Sequence, residues 1–85
     1  HYPTKHSYIL ELKVLSKKEF DEEAKDAYKE DGTPMTRAEK QWEDAVEQIN
    51  RYAAAQRVEA LRQGTTLHKI ILQFKGWELA RMEEV

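Results

Sequence analysis

The 85-residue chain has no cysteine, which excludes disulfides and thiolate metal ligation and suits a cytoplasmic protein. No apolar run approaches the roughly 18 residues needed to cross a bilayer, so no membrane partner is expected, and no secretory leader is visible. A glycine-rich phosphate loop is missing, and the serines lack a nucleophile motif. His1, His6 and His68 stand apart, without the ligand spacing of a zinc site, and read as incidental. Positive charge is also short. The formal net charge is −2 with 35% charged residues, which argues against strong nonspecific nucleic-acid binding by this chain alone. There is no internal repeat, low-complexity stretch or interdomain linker. The chain opens on His1 rather than Met and reads as a piece of something longer. A domain of this size buries only roughly 60–65% of its unfolded surface, so it has little stability to spare.

The stretch that organises the rest is Tyr8-Ile9-Leu10-Glu11-Leu12-Lys13-Val14, rich in aliphatic and β-branched residues and read as a strand over 7–14. Alternation puts Tyr8, Leu10, Leu12 and Val14 on one face and Ile9, Glu11 and Lys13 on the other. Ser16 to Glu19 fits a capping box, and the spacing of Phe20, Ala24, Ala27 and Tyr28 predicts a peripheral, highly charged helix to about Glu30. Asp31-Gly32-Thr33-Pro34 is a turn. A second capping box, Thr36-Arg37-Ala38-Glu39, opens a long helix that closes at Gly64. Its stripe of Trp42, Ala45, Val46, Ile49, Tyr52, Ala53 and Ala60 makes it the main core helix, with the 53–55 alanine run suited to close packing on a sheet.

The apolar run Ile70-Ile71-Leu72 predicts a strand over 68–74 buried on both faces. A Lys75-Gly76 turn and a last strand over 77–82 follow, with Trp77 expected in a core or interface. Strand, helix, helix, strand, strand predicts an α/β fold: a mixed three-stranded sheet with a long crossover helix, strand 68–74 in the middle and parallel to 7–14.

Two charges share a face of a strand that should be partly buried. Their burial is costly unless they are paired or used. Glu11 is a suitable oxygen ligand for a hard cation such as Mg²⁺. Lys13, two residues on, can polarise an attacking water and offset charge that develops at phosphorus. Gln48 and Tyr52 lie four apart on the long helix. Gln48 borders the buried stripe and is expected to point toward the sheet, whereas Tyr52 reads as core.

These segments, Ser7 to Lys13, Ala45-x-x-Gln48-Ile49-x-x-Tyr52, Lys69 to Phe74 and Trp77-Glu78, in this order resemble the C-terminal half of a PD-(D/E)XK nuclease-superfamily domain. The domain in question is of the kind found at the C-terminus of bacterial AAA-ATPase-like proteins. The resemblance implies a partial restriction-endonuclease-like fold, with 17–36 as a charged insertion. It implies a metal-binding acid at Glu11, the motif lysine at Lys13, Leu12 as a backbone metal ligand and Gln48 as the orienting helix glutamine. Mg²⁺ is then the expected cofactor, DNA the expected partner and an ATPase-like region the expected neighbour. The family's first helix and first two strands, with the motif aspartate, have no counterpart in residues 1–85. This single partial domain is therefore expected to be inactive as it stands. Its strand 7–14, left at an open edge, is expected to join two copies into a homodimer. The rival expectation is a non-catalytic interaction or regulatory module of an ATPase-like protein. A third is a small helix-and-sheet domain with an unrelated binding role.

Overall fold

Alternation along the first strand governs the layering. The computed structural model describes residues 5–85, with the backbone alone at Val58. β1 (Lys5–Leu15) exposes Tyr8, Leu10, Leu12 and Val14 while Ile9, Glu11 and Lys13 are half-buried on the other face. It begins at Lys5, two residues before the expected strand, so residues 5–7, read from the sequence as the end of a loop over 1–7, are strand; the rest of that loop lies outside the described residues. A short helix, α1 (Lys17–Phe20), follows, then strands β2 (Glu23–Tyr28) and β3 (Pro34–Thr36). The long helix α2 (Arg37–Gln63) leads to β4 (Thr65–Lys75) and β5 (Glu78–Glu84).

β4 is central in the order β1-β4-β5. It runs parallel to β1, with Leu10 beside Ile70 and Glu11 beside Ile71, and antiparallel to β5. This is the mixed sheet with a helical crossover that the strand pattern predicts, and it is a restriction-endonuclease-like arrangement. α2 packs on one face only. Trp42, Ala45 and Ile49 meet Ile71, with Ile9 and Val46 packed alongside. Arg81 on β5 lies 3.9 Å from the Trp42 ring centre and covers it by a cation–π contact. Both ends of α2 are set locally. Thr36 accepts from the Glu39 N–H while the Glu39 carboxylate accepts from the Thr36 N–H. Gly64, at φ 69°, closes the helix with its N–H on the Ala60 and Leu61 carbonyls, a left-handed position that suits glycine.

The charged segment departs from expectation. The Ser16 cap forms, its Oγ accepting from the Glu19 N–H at 3.1 Å, but the helix stops after one turn. Residues beyond it pair as a two-stranded antiparallel sheet, β2 with β3. The apolar stripe of the expected helix is thin, and an isolated helix of that length is marginal. Pairing instead lets Ala27 bury to 8% exposure. Asp26 takes φ 57°, which an Asp tolerates, and the register shifts between Glu23 and Tyr28.

Smaller corrections follow from the single helix layer. Ile71 is fully buried, but Ile70 and Leu72 are only partly so, because no element among the described residues covers the far face of β4. Trp77 is 98% exposed, in the turn rather than in a core. Ala53 is buried while Ala54 and Ala55 are exposed, as only one residue of the run faces the sheet.

Candidate active site

Strand periodicity and helix periodicity meet at one point. Lys13 on β1 donates from Nζ to the Gln48 Oε1 at 2.9 Å. The same ammonium lies 3.3 Å from the Glu11 Oε1. The structure thus brings Glu11, Lys13 and Gln48 together between β1 and α2. The Lys13 and Glu11 side chains are about three-quarters and 70% buried, at 25% and 30% exposure, so the pair is less screened than a surface ion pair. Leu12 stands between them, with its own side chain on the opposite, open face.

A polar tether one layer deeper ties α2 to the sheet. Gln73 on β4, at 2% exposure, donates from Nε2 to the Ala38 carbonyl at 2.8 Å and to the Gln41 Oε1 at 3.0 Å. Gln41 in turn donates to the Val14 carbonyl at 3.4 Å. The first turns of α2 are thereby tied to both β4 and β1. Gln48 lies seven residues after Gln41, two helical turns on and on the same side.

Two grooves flank the site. One, of about 520 Å³, runs along the β1 edge from Ser7 to Glu11 and is walled by Tyr52, Gln56 and Gln63 of α2. Tyr52 is a wall of this groove at 56% exposure, not a core residue. The other, of about 600 Å³, contains Lys13 and Gln48 and is bounded by residues 22–25, at the start of β2, and by the first turns of α2. Sequence reading did not single out the side chains that line it, Lys25, Arg37 and Lys40. The signal available was the row Lys40, Asp44, Gln48, spaced four apart on one helix face.

The histidines also differ from expectation. His6 and His68 meet across β1 and β4, with Nδ1 and Nε2 2.7 Å apart, and Tyr8 stacks on His68. His68 also bonds Glu84. Nonetheless, among the described residues no group of three or more His, Asp or Glu side chains is placed to hold a metal ion. Glu11 is one carboxylate where a reluctantly dehydrated cation such as Mg²⁺ commonly takes one or two. The residues present make up part of such a site and not the whole of it.

An acid and a lysine two apart on a strand, a helix glutamine on the lysine and a mixed sheet under a crossover helix define a nuclease-like α/β domain. The family model of the PD-(D/E)XK nuclease superfamily matches residues 1–84, and the chain belongs to that superfamily. No curated protein and no solved structure gives a significant match.

Proposed function

We propose that the chain is the C-terminal part of a Mg²⁺-dependent nuclease domain that hydrolyses phosphodiester bonds in nucleic acid, with DNA as the substrate. The observation that carries this reading is the Lys13 ammonium held between Glu11 and Gln48 in a member of a nuclease superfamily. An ammonium has three N–H donors. One is donated to the Gln48 Oε1, the Glu11 carboxylate lies 3.3 Å from the nitrogen as its ion-pair partner, and the remaining donors are left for a water or a phosphoryl oxygen. Held in this way, Lys13 orients the attacking water and offsets negative charge that grows on the phosphoryl group. The Glu11 carboxylate and the Leu12 carbonyl are the groups that would hold Mg²⁺, with a second carboxylate supplied by a strand paired to the open edge of β1 in the complete domain. The ion, when bound, polarises the phosphoryl oxygen as a Lewis acid. The resemblance supports placing this domain beside an ATPase-like region of a cytoplasmic bacterial protein.

The test is cleavage of supercoiled plasmid with and without Mg²⁺. A parent polypeptide that includes the preceding strand is expected to nick DNA. Glu11→Ala and Lys13→Ala are each expected to slow it by about 10²-fold or more. Full activity in the Lys13→Ala parent would sink the mechanism. The 85-residue chain alone is expected to bind Mg²⁺ weakly and to leave plasmid intact.

A second reading, a non-catalytic interaction or regulatory module, is favoured by the lack, among the described residues, of a group of three or more side chains placed to hold a metal ion. A parent that leaves plasmid intact with Mg²⁺ present would decide for it.

A further inference from the structure

We infer that the groove between the β2–β3 sheet and α2 is a binding track for the phosphodiester backbone of the nucleic acid, leading into the candidate active site. This rests on the nuclease reading and adds to it the surface that holds the strand beyond the reacting bond.

The first ground is continuity. Lys13 and Gln48 line this groove together with Lys25, Arg37 and Lys40, so the cations form one lining with the candidate catalytic lysine. The second is their arrangement on two walls. Lys40, Asp44 and Gln48 descend one face of α2 at four-residue spacing, while Lys25 faces the groove from β2 and has no side-chain partner among the described residues. A strand lying between the walls would have cations on both sides. The third is that the paired cations are held loosely. Lys40 meets Asp44 at 3.1 Å, and Arg37 meets Glu19 at 2.9 Å and Glu22 at 3.7 Å, all through partly exposed side chains. Surface pairs of this kind contribute little. A phosphate can replace the carboxylates, with Arg37 offering a fork suited to two oxygens. Asp44 then acts as an acceptor that occupies Lys40 while the groove is empty. Glu22 and Glu23 also line the groove and keep it near neutral, so the attraction is local rather than long-range. That agrees with a net charge of −2.

The β2–β3 sheet thereby gains a role. Folded as paired strands, the insertion encloses the groove on the side away from β1.

The experiment is fluorescence anisotropy of a short labelled DNA duplex with the 85-residue chain in EDTA, from low to physiological salt. The Lys25→Ala/Lys40→Ala variant is expected to bind about tenfold more weakly on every sequence, with a salt slope lower by about two. Asp44→Asn is expected to bind more tightly than wild type, which loss of a structural pair would not produce. Thermal melting by circular dichroism checks each fold. Should the double variant melt early, Lys25→Ala alone, an exposed position with no side-chain partner among the described residues, is expected to lower the slope by about one. Groove variants that bind as wild type does, beside a weakened Lys13→Ala, would overturn the track and leave the nuclease reading standing. A wild-type chain that fails to bind duplex at low salt, and whose parent fails to cleave, would remove both.

Discussion

Gln73 carries a polar side chain into the layer between sheet and helix, and both of its amide hydrogens are used there. Replacing it with leucine takes the side-chain donor away from the Ala38 carbonyl and from the Gln41 amide oxygen. The expected cost is about 2 kcal/mol in urea denaturation. Gln48 should lose its fixed place as the start of α2 loosens, visible as a shifted side-chain amide signal in NMR. Unchanged stability in Gln73→Leu would show that the tether is idle. Alternation along β4 shows that Gln73 shares the inward face with Ile71, but it does not name the carbonyl that Gln73 will meet. Glu11, Lys13 and Gln48 were legible because each needed only a local period. Tyr52 was misread, because a residue at the border of an apolar stripe can face either the sheet or the groove beside it.

The two capping boxes show how far local chemistry carries an element. Both form, yet one opens a 27-residue helix and the other a single turn of four residues. α2 continues because its stripe has a sheet to cover. Thr36→Ala should cost about 1 kcal/mol of stability, measured by chemical denaturation, because the Glu39 N–H loses its acceptor. The box is also sensitive to pH. The Thr36 backbone N–H, and after it the Lys29 ammonium, hold the Glu39 carboxyl below the usual carboxylate range. A carboxyl with a lowered folded pKa stabilises the fold above its unfolded pKa. That stabilisation is lost as pH falls through the folded value. Glu39→Gln should therefore lose less stability than wild type between neutral and acid pH in urea melts. An identical loss in both proteins would remove Glu39 from the account.

Across the molecule, the sheet has one covered face and one open face. Tyr8, Leu10, Leu12 and Val14 are 56 to 61% exposed, with Leu79 and Met82 on β5 at 50% and 58%. Apolar area of this extent on one face marks an interaction surface. β1 also ends the sheet, with its outer backbone groups facing no strand among the described residues. The 85-residue chain is expected to form a two-fold dimer through this edge or this face. In an antiparallel pairing centred on Leu12, Glu11 of one copy lies opposite Lys13 of the other, which favours that register. Light scattering at micromolar concentration should report twice the chain's mass. A stable monomer would show that the open face is tolerated.

The boundaries of α2, the faces of β1 and the order of the sheet were set by short-range pattern. Thr36, Gly64 and the alternation from Tyr8 to Val14 act within a turn or a strand of their own positions. The fate of residues 17–36 was not settled at that range. Their helical spacing gives way to strand pairing, in which Ala27 is buried. The start of β2 also bounds the groove beside Lys13. Likewise, only the parallel register of β1 on β4 brings His6 to His68, and only the folded chain brings the Gln73 amide to the Ala38 carbonyl. Such pairings join residues far apart in the chain, and no period along the sequence records which distant partner a side chain will meet.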